Sequence, residues 1–550
     1  MERQIKLVLA QLNLMVGDID GNTRQVLEAA RLALTEHNAE LIVFPELTLT
    51  GYPPEDLLLR PALEERVNKA LDSILAANLD ITMVLGLPEK CGGELYNALT
   101  VIRGNERHGT YYKQCLPNYQ VFDEERYFDA GDGPLVCPIN GIPVAFTICE
   151  DLWQQHPSQQ ACDAGAELLI NINASPYHMD KVAERRELLR QRSQLGQFPI
   201  VYVNLVGGQD ELVFDGASMV VDCKGECVFQ ADSFVAGLYP VNIDLGVRGD
   251  TGKECVVTPS RVIGDTSLED DVYQALVLGV RDYVEKNGFP SVVLGLSGGI
   301  DSALTLAVAV DALGPERVKA VMMPFSYTSE LSLEVAAEQA RALGVEYKVI
   351  SIEKIYEAFV EELSEEFRGL DIDVAEQNIQ ARCRGVLLMA ISNKKGSLVL
   401  TTGNKSEIAV GYSTLYGDMA GGFDVLKDVS KTLVYKLATY RNQSAGREII
   451  PQRVIDRAPS AELAPGQVDQ DSLPPYDDLD RILELYVEND ASAADIIAEG
   501  YSEADVMRVL RLVDLNEYKR RQSPVGVRLT RRGFGRDRRY PITNGWPIGE

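Results

Sequence analysis

Histidine is scarce in this chain of 550 residues: it has four, His37, His108, His156 and His178, and none stands at a triad or metal-ligand spacing. Acid–base chemistry is therefore expected from carboxylates, lysine and cysteine. No run of about 18 apolar residues is present, so the sequence offers no transmembrane helix. The start, MERQIKLVLAQLNLMVGDID, lacks the apolar core and small-residue cleavage site of a signal peptide. The nine cysteines are odd in number and scattered, as in a reducing compartment. The closest pair, Cys223 and Cys227, sits in the turn-like DCKGECV, and no second pair completes a zinc site. Basic charge is short too. Lys plus Arg is 53 against 82 Asp plus Glu, a net charge of −29 that repels a nucleic-acid backbone. A cytoplasmic protein with neither a membrane nor a nucleic-acid partner is expected. Only residues 519–539 break the trend, with nine basic residues against Asp537 alone.

What is present is an ordinary globular balance, 45% hydrophobic and 25% charged. At about 150 residues per domain the length suits three to four domains. The first half alternates short apolar strands such as IKLVLAQL, AELIVFPEL, GIPVAFTICED and AELLININ with helical patterns over 22–36 and 182–195. An α/β layered sandwich is expected. Between about 244 and 270 periodicity fades, which suggests a first domain over 1–245, a linker over 246–267 and a second domain over 268–550. The second half restarts with a helix over 268–287, the strand SVVLGL, the loop SGGIDS and a helix over 303–312. Strands alternating with helices predict a parallel, doubly wound, Rossmann-like sheet.

Three strand ends in the first half carry complementary chemistry. Cys149 ends the strand in FTICEDLW, Glu46 ends IVFPELTLTGY, and Lys113 follows GTYYKQCLPNY. Together they offer a nucleophile, a carboxylate base and a cation able to steady an oxyanion. FPELTLTGYPPEDLL, YYKQCLPNYQVFDEERYF and ICEDLW resemble the three catalytic segments of the nitrilase (carbon–nitrogen hydrolase) superfamily. The resemblance implies a four-layer αββα fold and amide hydrolysis through a thioester, with Glu46, Lys113 and Cys149 as its triad and Glu124 as its second glutamate. In the glutamine-using members Tyr119, Ser175 and Lys181 match positions that hold the amino and carboxylate groups of the substrate. Taken singly, Lys181 also reads as a solvated surface lysine.

The second half centres on LGLSGGIDSALT, where glycines between a strand and a helix let backbone N–H groups approach an anion. The motif is neither GxGxxG nor GxxxxGK[ST]. It resembles the pyrophosphate loop of N-type ATP pyrophosphatases. QNIQARCRGVLLMAISN, LTTGNKSEIAVGYSTLYGDMAGGFDVLKDV and PSAELAPGQVDQDSLPPYDDLDRIL are similar to the NAD synthetase family, and the domain in front points to its glutamine-dependent branch. That resemblance implies ATP contacts at Gly295, Leu296, Ser297, Gly298, Gly299, Ile300, Asp301, Ser302 and Thr402. It implies deamido-NAD contacts at Asn378, Glu407 and Lys519, and Mg²⁺ held by Asp301 and Glu407, whose hard oxygens suit that ion.

The implied reaction activates a nicotinate carboxylate with ATP, then amidates it with ammonia released from L-glutamine and passed through a dry channel. A homo-oligomer is expected with it. Two other readings stay open: a tRNA- or nucleotide-modifying pyrophosphatase whose basic tail meets RNA, and a catalytically inactive nucleotide sensor. The acidic total weighs against the first, and the presence of every triad and loop residue against the second.

Overall fold

The computed structural model describes residues 3–246, 255–264, 266–460, 462–464, 467, 469–471 and 473–550. The chain divides into two compact units, Met1–Gln209 with Val213–Asp265, and Asp210–Leu212 with Thr266–Glu550.

The first unit holds two large sheets. One has seven strands in the order Cys255–Thr258, Gly237–Leu245, Gln4–Gln11, Leu41–Val43, Leu79–Cys91, Glu94–Gly104 and Glu106–Tyr112. The other has six, Cys227–Gln230, Met219–Val221, Ile200–Asn204, Leu168–Asn173, Ile142–Ile148 and Leu135–Ile139. Because side chains alternate along a strand, each sheet serves two cores. Leu7, Leu9, Val43 and Val84 of the first sheet meet Val144, Phe146, Ile170 and Val203 of the second. The intervening residues Val8, Ile42 and Met83 face the helices Ile19–His37 and Pro61–Ala76. Ala145, Leu169 and Tyr202 pack on Leu188 and Leu189 of helix Lys181–Gly196. The layers run helix, sheet, sheet, helix, as the resemblance implied.

The second unit is built on five parallel strands in the order Glu346–Val349, Val318–Met322, Val292–Gly295, Leu398–Thr401 and Phe423–Asp424. Val293, Val321 and Val399 pack on Cys383 and Leu388 of helix Val374–Lys395. The alternate residues Val292, Leu294, Ala320 and Leu400 are equally buried. Strand order reverses between Val292–Gly295 and Leu398–Thr401, and a doubly wound sheet opens its ligand crevice at such a point. The predicted helix over 303–312 begins earlier, at Ile300, directly after the glycine loop. A separate apolar cluster joins Leu479, Ile482, Val506 and Val509 of the C-terminal helices.

The segment 246–267, expected as a linker, contains the strand Cys255–Thr258, which pairs antiparallel with Gly237–Leu245. Only one of its four residues is buried, so its hydrophobic pattern is too short to mark it in sequence. Residues 247–254 and 265 of that segment lie outside the described residues. No helix among the described residues is long and apolar enough to cross a membrane.

One glycine fixes how closely the segment carrying Glu46 approaches its sheet. A Cβ on Gly86 would stand 2.5 Å from Leu47 N and 2.6 Å from Pro45 O. Gly86→Ala must push that backbone aside and should cost about 1–3 kcal/mol, as overpacking does. Urea unfolding followed by circular dichroism measures this, and an unchanged midpoint would contradict the close packing.

Candidate active sites

In the first unit the strand Ile142–Ile148 ends in a 3₁₀ turn, Cys149–Leu152. Cys149 enters it with φ of 44°, a left-handed conformation costly for a residue with a Cβ. The neighbouring Asp151, fully buried, holds this geometry. Its carboxylate accepts from Ile148 N at 2.9 Å, Cys115 N at 2.8 Å, Gln114 N at 3.1 Å and the Tyr111 hydroxyl at 2.8 Å. One side chain thus ties the cysteine turn to the segment bearing Lys113.

Lys113 is completely buried and donates to Glu46 Oε1 at 2.8 Å and to both Glu124 oxygens at 2.9 and 2.8 Å. Glu46 is fixed further by Asn97 Nδ2 at 2.8 Å and by Ala174 N at 2.9 Å. The Tyr52 hydroxyl donates to Glu124 Oε1 at 2.9 Å. Burial is the largest influence on Lys113 and disfavours its charge, yet Glu124, Glu46 and Cys149 together hold it well above the usual lysine range. Burial pushes Glu124 up to about 7. Burial, then Glu46, pushes the Cys149 thiol well up, against the pull of Lys113. Cys149 therefore rests as a thiol among a carboxylate, an ammonium and a readily protonated glutamate.

Tyr119, half exposed, donates to Glu150 Oε2 at 2.9 Å. Ser175 is held from behind by Arg185, which donates to its carbonyl at 2.7 Å and its Oγ at 3.1 Å. Arg185 is itself buried and forks onto both oxygens of Asp215 at 2.8 and 2.7 Å. Lys181 opens helix Lys181–Gly196, with Nζ 3.4 Å from Glu184 and 4.1 Å from the centre of the Trp153 ring. Burial, with Arg185 adding to it, lowers Lys181.

In the second unit Gly295, Leu296, Ser297, Gly298, Gly299, Ile300, Asp301 and Ser302 line one cavity, joined by Thr402 and Glu407. Gly298 has φ of 84°, and a Cβ there would lie 2.6 Å from Ser332 O, so this loop needs glycine on both counts. Ser302 Oγ accepts from Ser297 N at 3.2 Å and donates to Gly299 O at 3.0 Å, folding the loop over the N-terminus of helix Ile300–Leu313. Asp301 and Glu407 come together through Lys431, whose Nζ is 2.6 Å from Asp301 Oδ2 and 2.8 Å from Glu407 Oε1. Asn404 Nδ2 donates to the other Asp301 oxygen at 2.9 Å. Burial pushes Glu407 up to about 7. The cation on which the two carboxylates converge is thus the Lys431 ammonium, which takes one oxygen of each. Among the described residues no group of three or more His, Cys, Asp or Glu converges as metal ligands.

Asn378 and Lys519 are absent from that lining and instead meet one loop beside it. Asn378 Oδ1 accepts from Thr414 Oγ1 at 2.8 Å, while Lys519 donates to Gly411 O at 2.8 Å and Ser413 O at 2.9 Å. Three arginines of the basic tail are turned inward. Arg520 pairs with Glu517 at 2.9 Å, Arg528 with Asp537 at 2.6 Å and Arg538 with Glu517 at 3.4 Å, and all three arginines are buried.

Residues 6–253 match the carbon-nitrogen hydrolase family and residues 272–523 the NAD synthase family. The glutamine-dependent NAD(+) synthetase of Acinetobacter baylyi is 49% identical over 545 residues, 99% of each chain. This chain belongs to the glutamine-dependent NAD(+) synthetase family. The Aquifex aeolicus member is 46% identical, covering 98% of this chain and 99% of that one. The structure of the Acinetobacter baumannii synthetase in complex with ADP covers all of both chains, with 47% identity and a TM-score of 0.80.

Sequence motifs within this synthetase family membership left several supports unseen: Asp151, Asn97, Tyr52, the Arg185–Asp215 pair and Lys431. Asp151 and Tyr52 stood inside the quoted motifs, but their partners lie tens of residues away. Removing the cation between two buried carboxylates gives a direct test. Lys113→Met should destabilise the first unit by about 3–5 kcal/mol, the cost of breaking a buried ion pair on one side. A loss below about 1 kcal/mol in urea unfolding would show that the trio is not charged as described.

Proposed function

We propose that the chain amidates deamido-NAD to NAD at the expense of ATP, using L-glutamine as nitrogen donor and releasing AMP, pyrophosphate and glutamate. The observation that carries this reading is the presence, in one chain with full-length relatives of that name, of a buried Cys–Glu–Lys group and a glycine-loop nucleotide cavity. The acidic total of −29 supports small-molecule partners over nucleic acid, and a cytoplasmic homo-oligomer belongs to the same reading.

In the first unit Cys149 Sγ attacks the glutamine amide carbon as its proton passes to Glu46. This order follows from the raised thiol, which is not a thiolate at rest. The Lys113 ammonium stabilises the oxyanion, and Glu124, bonded to both Lys113 and Tyr52, keeps that ammonium oriented. Glu46 then gives that proton to the amide nitrogen, which leaves as neutral ammonia, and a water deprotonated by Glu46 hydrolyses the thioester to glutamate, the proton returning to the Cys149 sulfur. Lys181 and Ser175 face the substrate α-carboxylate, and Glu150, in the group with Tyr119, offers the complementary charge for its α-ammonium.

In the second unit the Ser297–Gly298–Gly299 loop and the helix N-terminus receive the pyrophosphate. The nicotinate carboxylate displaces it from the α-phosphorus, giving an acyl adenylate that ammonia converts to amide and AMP. Asp301 and Glu407 would hold Mg²⁺, which when bound supplies charge neutralisation on the phosphates. Lys431, paired with both carboxylates in the structure, would have to share their oxygens with the ion, and Thr402 contributes to the ATP side. Asn378, Glu407 and Lys519 address deamido-NAD, two of them through the loop they brace.

The half-reactions separate by mutation. Cys149→Ala should abolish NAD formation from L-glutamine and leave formation from ammonium largely intact. Asp301→Ala should abolish both. Steady-state assay with each nitrogen source checks this, and equal loss in Cys149→Ala with both donors would overturn the two-site assignment.

A further inference from the structure

Trp153 has no part in the chemistry above, yet its place is specific. It caps the Cys149–Leu152 turn, so its ring is carried by the same turn as the nucleophile. Its ring lies 4.1 Å from Lys181 Nζ. Lys181 stands at a helix N-terminus, where the dipole repels a cation, and it is largely removed from water beside the Arg185 guanidinium. Something must offset this. Glu184 lies at a long 3.4 Å and is itself partly exposed. An indole face attracts the ammonium without accepting a conventional hydrogen bond, so it leaves N–H groups beyond the one Glu184 takes available to an incoming anion. A carboxylate closer than Glu184 would compete with the substrate for that charge.

We propose that Trp153 is a positioning residue that holds the Lys181 ammonium for the α-carboxylate of L-glutamine, and so sets the preference for amides that carry one. This rests on the reading of Lys181 given under Proposed function. The contact acts on binding of the carboxylate and not on the reacting carbonyl, which gives it a signature of its own.

The test uses amide hydrolysis by the full chain, with L-glutamine compared with 4-aminobutanamide, which is glutamine without its α-carboxylate. Trp153→Leu should raise KM for L-glutamine about tenfold with kcat held within about twofold, the size expected for a partly desolvated cation–π contact. Its kcat/KM for 4-aminobutanamide should stay within about twofold. Trp153→Phe, which keeps a weaker ring and serves if the leucine variant does not fold, should raise KM for L-glutamine about threefold. Equal losses on both amides, or an unchanged KM for L-glutamine, would overturn the proposal. Lys181→Met separates the two layers of inference. If it also erases the preference for glutamine, the Lys181 reading holds and the Trp153 variants decide alone. If it leaves the preference intact, the Lys181 reading fails and the proposal falls with it.

Discussion

The Lys113 ammonium, sealed between Glu46 and Glu124, is the contact on which the first unit is organised. A lone charge in such a place is prohibitive, and each of these three groups is tolerable only because the others are there. Strand Glu106–Tyr112 must end where Lys113 can reach the segment after Leu41–Val43, which sets the approach of that segment and explains the bare backbone at Gly86. The trio also leaves one carboxylate more than it has cations. Burial does most to raise both Glu124 and the Cys149 thiol, with Glu46 adding to it and Lys113 opposing it, and the resting site has a proton to move instead of a standing thiolate.

The second unit repeats the arrangement with a different use. Lys431 lies between Asp301 and Glu407 as Lys113 lies between its glutamates, and burial pushes one carboxylate of each set up to about 7. Here the carboxylates open onto a cavity whose floor is the glycine loop. In both units the candidate reactive groups sit where strands end. Ile142–Ile148 delivers Cys149, and Val292–Gly295 delivers the loop. The end of a rigid interior strand lets a short turn adopt φ of 44° at Cys149 or 84° at Gly298 without spreading strain.

Much of this was legible in the sequence because it is local. Cys149, Glu46 and Lys113 each follow an apolar run, and SGGIDS stands between a strand and a helix. The alternation that predicted layers of sheet and helix is the same alternation that buries Val8 on one side and Leu9 on the other. What stayed hidden is long-range pairing. Nothing near Arg185 announces Asp215, and Lys431 is 130 residues from Asp301. The charge of the tail was equally misleading by itself. Of its nine basic residues, Arg520, Arg528 and Arg538 are spent on internal carboxylates and carbonyls, while Arg521, Arg531, Arg536 and Arg539 are exposed. Strand Cys255–Thr258 was missed because four residues with one buried side chain carry no readable period.

Taken together, the two units describe one nitrogen atom leaving an amide in the first and entering another in the second. The most direct measurement follows that atom. With amide-¹⁵N L-glutamine, unlabelled deamido-NAD, ATP and no added ammonium, mass spectrometry of the product should place ¹⁵N in the nicotinamide carboxamide, with AMP, pyrophosphate and glutamate formed in equal amounts. Unlabelled NAD, or ADP with orthophosphate in place of AMP with pyrophosphate, would contradict it.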